Sequence, residues 1–186
     1  MNNDLHPLVL LADAFANAAH AAVGQFRKYS KEPYIVHPRH VRQLVLAHAT
    51  RPVSPEMEAA SLLHDTVEDT GVTIELIEEV FGERVAKLVS DLTDVSKPED
   101  GNRKTRKALD LQHTAAADPD SKTVKLADLI SNSGTIVDHD PGFARTWLRE
   151  KEALLEVLED GDPGLLALAR STLEASLRNL NGANSG

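Results

Sequence analysis

The stretch Ser54-Pro55-Glu56-Met57-Glu58-Ala59-Ala60-Ser61-Leu62-Leu63-His64-Asp65-Thr66-Val67-Glu68-Asp69 decides the fold class. Ser54 is a helix cap and Pro55 suits a first helical position. Ala59, Ala60, Leu62, Leu63 and Val67 then follow at helical spacing. The same pattern recurs on both sides. Leu8 to Val23 reads as a helix stopped by Gly24. A second begins at Pro38, where the loop Arg27–Pro38 ends, and carries Val41, Leu44 and Val45 to about Thr50. Downstream, Thr73 caps a short helix through Ile77 and Val80, and Phe81-Gly82 punctuates before Val85, Leu88, Val89 and Leu92. Helices from Asn102 to Ala117 and from Ser121 onward come next, then Pro141–Leu158 and Pro163–Leu180. The pattern predicts an all-α chain, a single compact helical bundle of about eight to ten helices. Its core spans about 8–158, with a C-terminal helix at 163–180 and a frayed tail at 181–186.

Composition agrees and narrows the function. The 186 residues are 41% hydrophobic but only 4% aromatic, an Ala/Leu/Val-rich mixture that suits helices better than a β-sandwich. Twenty basic residues against 29 acidic ones give a net charge of −9. That argues against nucleic acid or an anionic membrane as a general partner. The absence of cysteine excludes disulfides, thiolate catalysis and Cys-ligated zinc. Any metal must be held by imidazole and carboxylate. No apolar run reaches membrane-spanning length, and Met1-Asn2-Asn3-Asp4 is not a signal peptide, so a cytoplasmic location is expected. The apolar face of the last helix (Leu165, Leu166, Leu168, Leu173, Leu177) is expected to pack on the core or on a second copy of the chain.

The chemistry concentrates where polar residues interrupt apolar helices. His64-Asp65 sits in an apolar helix, with Glu68 and Asp69 one turn on. At four-residue spacing His64 shares a face with Glu68, and Asp65 with Asp69. Three carboxylates and an imidazole buried together call for a cation. A solvated helix end is the plainer alternative, but acidic residues near a helix C-terminus oppose the macrodipole. His37 lies in a proline-flanked loop just before a helix, and Asp128 stands inside the apolar run Val124–Ile130. The plain readings are a loop histidine and a salt bridge from Asp128 to Lys125. Taken jointly, His37, His64, Asp65 and Asp128 offer two imidazoles and two carboxylates. That set suits octahedral Mn²⁺ or Fe²⁺ with open positions and fits Zn²⁺ less well.

The order His37, then His64-Asp65, then Asp128 resembles the metal-binding pattern of the HD superfamily of phosphohydrolases. The finer pattern is Arg27-Lys28 and Glu32-Pro33-Tyr34-Ile35-Val36-His37-Pro38, then Leu62–Thr70, then Lys125-Leu126-Ala127-Asp128. It resembles the hydrolase domain of RelA/SpoT-type alarmone enzymes over roughly Phe15 to Leu158. The resemblance implies Mn²⁺-dependent hydrolysis of guanosine 3′,5′-bis(diphosphate), ppGpp, and its pentaphosphate relative to GDP or GTP and pyrophosphate, lowering the stringent-response alarmone. It further implies His37, His64, Asp65 and Asp128 as metal ligands, and Glu68 and Asp69 as the catalytic acidic pair. Arg27 and Lys28 would be the basic pair at the substrate, with Arg27 stacking on guanine, and Asn132 and Thr135 its polar contacts. Lys31 stands where a Gly is usual, and Leu129 where an Arg often follows the metal-binding Asp. Arg145 and Trp147 match loosely a basic residue and a Tyr near the base pocket.

By residue chemistry alone, Glu68 could take a proton from a metal-activated water while Asp69 orients or relays it. Arg103, Lys104, Arg106 and Lys107 could help offset phosphate charge, or simply form a solvated helix paired with Asp100 and Asp110. Two other readings stay open at this level: an HD-type phosphatase of another nucleotide (a deoxynucleoside monophosphate or a 2′- or 3′-phosphorylated cofactor), and a non-catalytic nucleotide-binding module.

Overall fold

The helix α8 (Pro119–His139) is apolar on several sides: Val124, Leu126, Ala127 and Leu129 are all buried. A helix of that kind must be surrounded. The surrounding layer is α2 (Val36–His48), α3 (Pro55–Leu63), α6 (Glu83–Leu92), α9 (Pro141–Val157) and α10 (Pro163–Gly182), each packed on α8. Outside these, α1 (Pro7–Ala22) covers α3, α5 (Ile74–Phe81) covers α6, and α7 (Arg103–Ala115) leans on α9. The four-residue α4 (Thr66–Asp69) follows α3, and a single 3₁₀ turn, Pro98–Asp100, precedes α7. The computed structural model describes residues 5–182, with the side chains of 134–138, 141, 181 and 182 outside that description. Among the described residues every regular element is helical, and one isolated bridge joins Phe26 to Pro33.

The expected caps are present. Ser54 Oγ accepts from Met57 N at 3.1 Å and Thr73 Oγ1 from Leu76 N at 3.3 Å; Asn102, expected as the first residue of its helix, caps it instead, its Oδ1 accepting from Thr105 N at 3.1 Å. Among the boundaries that differ from expectation, three matter here. First, α2 begins at Val36, so His37 lies inside its first turn rather than in a preceding loop. Pro38 is tolerated there because the N–H groups of a first turn have no intrahelical partner to lose. Second, the helix from Ser54 to Asp69 is broken at His64-Asp65. Thr66 Oγ1 donates to Leu63 O at 2.6 Å, and Asp65 takes φ −98°, ψ −5°, the sparsely populated bridge region. Third, α10 runs to Gly182, beyond the expected end at Leu180; residues 183–186 of the expected tail lie outside the described residues.

One buried carboxylate clamps the periphery to this frame. Asp162 caps α10, accepting from Gly164 N at 2.8 Å and Leu165 N at 3.2 Å. It also accepts from Thr50 N and Arg51 N, both at 2.8 Å, which fixes the α2–α3 connection. The approach is close enough that a Cβ on Gly164 would collide with His48 O. Burial alone would raise the Asp162 pKa, but the amide bonds from Arg51, Leu165, Thr50 and Gly164 outweigh it and hold it below the ordinary value. Asp162→Ala is expected to cost about 3 kcal/mol, as a lost cap plus buried N–H groups left unpaired. In a thermal melt that is a drop of about 6–12 °C. Because the folded pKa is depressed, the stabilisation is full above the unfolded carboxylate value of about 3.9 and fades as pH falls through the folded value. The variant should therefore close its gap with the wild type in strong acid.

Candidate metal centre and flanking cavities

Three helices bring four side chains to one point. His37 comes from the first turn of α2, His64 and Asp65 from the α3–α4 break, and Asp128 from the middle of α8. His37, His64 and Asp65 each offer a ligand atom within 4.8 Å of the other two. Asp128 Oδ1 lies 3.1 Å from His37 Nε2 and 3.8 Å from His64 Nε2. Asp65 Oδ2 lies 3.1 Å from His64 Nε2 and 3.6 Å from His37 Nε2. The break in the helix matters here: with α3 ended at Leu63, Asp65 turns toward the same point as His64 rather than toward a neighbouring face.

The donor set fits a divalent cation. His64 Nδ1 donates to Ser61 O at 2.9 Å, so a neutral His64 ring presents its lone pair at Nε2. That Nε2 is buried and has no hydrogen-bond partner, a costly arrangement unless a ligand completes it. The electrostatics agree. Burial works against an imidazolium at His64, yet Asp65 and Asp128 outweigh it and raise its pKa to about 10. Burial would likewise raise Asp65 and Asp128, but the facing imidazoles hold both well below the ordinary carboxylate range. A field that strongly favours positive charge at this point favours a metal ion on the same ground.

Neighbouring groups brace these four side chains. Tyr34 Oη donates to Asp65 Oδ2 at 2.7 Å, and burial followed by the Asp65 charge raises the phenol so that it stays a donor. Asn132 Nδ2 donates to Asp128 Oδ1 at 2.7 Å. Gln25 Nε2 donates to Asp69 Oδ2 at 2.9 Å, and Gln25 Oε1 is in turn 2.6 Å from His20 Nδ1. Glu68 opens toward the cavity, where Asp94 N approaches its Oε2 at 3.4 Å. Reduced hydration first, and the Asp94 charge second, raise the Glu68 pKa.

Two cavities meet at this cluster, sharing Tyr34, Asn132 and Phe143 in their walls. The first, about 650 Å³, is lined by Arg27, Lys28, Tyr29, His37 and His40 among others. Arg27 sits 5.9 Å from the Tyr34 ring centroid and reaches Asn132 Oδ1 at 3.4 Å, while Lys28 Nζ lies 5.0 Å from the Tyr29 ring. Lys31, where a Gly is usual, takes φ +61° at the turn of this loop, a backbone position that normally favours glycine. The second cavity, about 710 Å³, contains Glu68, Arg103, Lys104, Lys107, Lys125, Trp147 and Lys151.

Of the basic residues on α7, Arg103, Lys104 and Lys107 line this second cavity and Arg106 does not, and the expected pairing with Asp110 is present. Lys107 Nζ pairs with Asp94 at 2.8 Å and Asp110 at 3.1 Å, and Arg103 pairs with Glu150 at 2.7 Å. Asp100 turns instead to Lys97 N at 2.7 Å. Lys125 donates to Leu92 O at 3.0 Å and faces Asp94 at 3.9 Å, rather than bridging to Asp128. Lys151 stands 5.3 Å from the Trp147 ring; burial, then Lys125, lower its pKa. Arg145 is exposed and lines neither cavity. Thr135 lies outside the described side chains. Sequence reasoning gave no role to Gln25, Asp94, Ser131, His40 or Lys151; the one available signal was Lys151, a helix turn after Trp147.

Fold and site define an all-helical protein with a buried two-histidine, two-carboxylate centre between two basic-lined cavities. The HD domain family model matches residues 12–154. The chain belongs to that family. Among curated relatives, guanosine-3′,5′-bis(diphosphate) 3′-pyrophosphohydrolase of Aquifex aeolicus is 38% identical over 122 residues, covering 66% of this chain and 17% of that one. The Xenopus tropicalis protein of the same name, MESH1, is 40% identical over 129 residues, covering 67% of each. The chain thus spans under a fifth of the Aquifex relative and two thirds of the frog one. A solved structure described as a metazoan ortholog of SpoT superposes with a TM-score of 0.79 at 22% identity, covering 91% of this chain and 96% of that one. Among the described residues, no helix is long and apolar enough to cross a membrane.

Proposed function

We propose that this chain hydrolyses ppGpp and its pentaphosphate relative at the 3′ position, releasing pyrophosphate and leaving GDP or GTP. The observation that carries the reading is the convergence of His37, His64, Asp65 and Asp128 on one point at the junction of two cavities. The names of the relatives at 38% and 40% identity supply the substrate. In this reading those four residues hold Mn²⁺, with Fe²⁺ or Zn²⁺ as weaker fits. When bound, the ion acidifies a water and offsets charge on the phosphoryl oxygens.

The remaining work falls to the chain's own groups. Glu68, with its raised pKa, takes the proton of the attacking water. Asp69, held by Gln25, orients that water. The water oxygen bonds to the phosphorus on the ribose 3′-oxygen, the bond between that phosphorus and the 3′-oxygen breaks, and the nucleoside 5′-diphosphate departs as its 3′-oxygen takes up the proton that Glu68 received. Arg27 stacks on the base, Lys28 and Asn132 contact the sugar and phosphate, and Thr135 is assigned beside them. Lys107 and Arg103 in the second cavity offset phosphate charge. The substrate is a small, soluble nucleotide, which suits a cytoplasmic enzyme.

Product analysis tests the reading. Purified protein incubated with ppGpp and Mn²⁺ is expected to give GDP and pyrophosphate in equal amounts, with no turnover after chelation. Release of orthophosphate alone would replace this proposal with a phosphatase acting on another nucleotide.

A further inference from the structure

Ser131 stands between two imidazoles. Its Oγ lies 3.1 Å from His37 Nδ1 and 2.9 Å from His40 Nδ1. A serine hydroxyl carries one proton and two lone pairs, and among the described residues Ser131 Oγ has no hydrogen-bond partner besides these two ring nitrogens, so a satisfied hydroxyl donates to one and accepts from the other. The ring nitrogen of His37 that faces Asp65 and Asp128 is Nε2. To coordinate an ion, that nitrogen must present a lone pair, which places the His37 proton on Nδ1. The direction of every bond then follows: His37 Nδ1–H donates to Ser131 Oγ, and Ser131 Oγ–H donates to His40 Nδ1. His40 must therefore be neutral and protonated on Nε2.

We infer that Ser131 and His40 are positioning residues, forming a relay that fixes the metal-binding tautomer of His37 and leaves His40 Nε2–H as a donor in the first cavity. The inference rests on the metal-binding role proposed for His37. His40 shares the wall of that cavity with Arg27, Lys28 and Asn132, so its Nε2–H offers a phosphate or carbonyl oxygen a neutral donor beside two cationic ones. Burial is the first cause holding the His40 pKa below its ordinary value, which favours the neutral ring the relay requires. The relay also explains why a buried serine on α8 faces α2: α8 already carries Asp128, and Ser131 lies one turn further on.

The experiment uses the full chain with ¹⁵N-labelled histidine and Zn²⁺ as a diamagnetic probe. Long-range ¹H–¹⁵N spectra of the loaded protein are expected to show His37 protonated at Nδ1 and His40 at Nε2. His40 protonated at Nδ1 in the loaded protein would overturn the relay. In chelator competition, Ser131→Ala is expected to weaken Zn²⁺ binding about 10-fold or more, with Ser131→Thr restoring it to within about 3-fold. A Ser131→Ala protein that melts normally and binds Zn²⁺ within about 2-fold of wild type would remove Ser131 from the relay while leaving the metal centre intact. Wild-type protein that binds no Zn²⁺ would instead overturn the centre and the relay together.

Discussion

His64→Ala is expected to leave a folded protein that neither retains Mn²⁺ through gel filtration nor turns over ppGpp. The imidazole has no slack: Nδ1 is committed to Ser61 O, and Nε2 is buried without a partner at the point where Asp65 and His37 also converge. Alanine removes one of the two proposed nitrogen ligands. Loss of the ion's charge stabilisation, several kcal/mol of transition-state energy, corresponds to a rate loss of at least about 10³-fold. Metal content by atomic spectroscopy and turnover measured on the same sample are the paired readouts. A circular dichroism melt separates this outcome from unfolding. If His64→Ala holds one Mn²⁺ per chain, His64 is not a ligand, and the centre must be rebuilt around His37 and the carboxylates.

How much of this was legible beforehand depended on how far each interaction reaches along the chain. Helices were readable because Leu, Val and Ala repeat at helical spacing and Ser54, Thr73 and Asn102 announce their starts. The break at His64-Asp65 was not readable, because hydropathy continues smoothly through it. What ends α3 there is local side-chain bonding to the backbone, Thr66 Oγ1 to Leu63 O and His64 Nδ1 to Ser61 O. Asp128 could be suspected because a carboxylate is out of place among Val124, Leu126 and Leu129. The roles of Tyr34, Gln25 and Ser131 could not be: Gln25 and Ser131 are ordinary residues in ordinary settings, and Tyr34 stood only within the Glu32-Pro33-Tyr34 pattern with no role attached. Their partners lie 31, 44 and 94 positions away in the chain, a pairing that only the packing of α2, α4 and α8 creates. The basic helix α7 was legible as charge but not as a cavity wall, because that depends on α9 bringing Trp147 and Lys151 opposite it.

Glu68→Gln is expected to separate proton transfer from metal binding. Glu68 faces the second cavity beside the ligand cluster, and the ligand distances among the four proposed metal-binding residues do not involve it. The amide keeps the side chain's shape and its acceptor oxygen toward Asp94 N, so Mn²⁺ stoichiometry should be unchanged. What it loses is the capacity to take a proton, an effect of about 10²–10⁴-fold on turnover. The signature should lie in kcat rather than KM, since an interaction absent from the ground state leaves substrate binding alone. The pH profile gives the sharper test. Reduced hydration and the Asp94 charge hold the Glu68 carboxyl above its ordinary value, so wild-type activity should rise with pH through that raised pKa as the base ionises. In Glu68→Gln the same limb should flatten, leaving a low, pH-insensitive rate over that range. Undiminished turnover, or a Gln variant that keeps the full limb, would assign the base elsewhere, with Asp69 on its Gln25 tether the next residue to test in the same way.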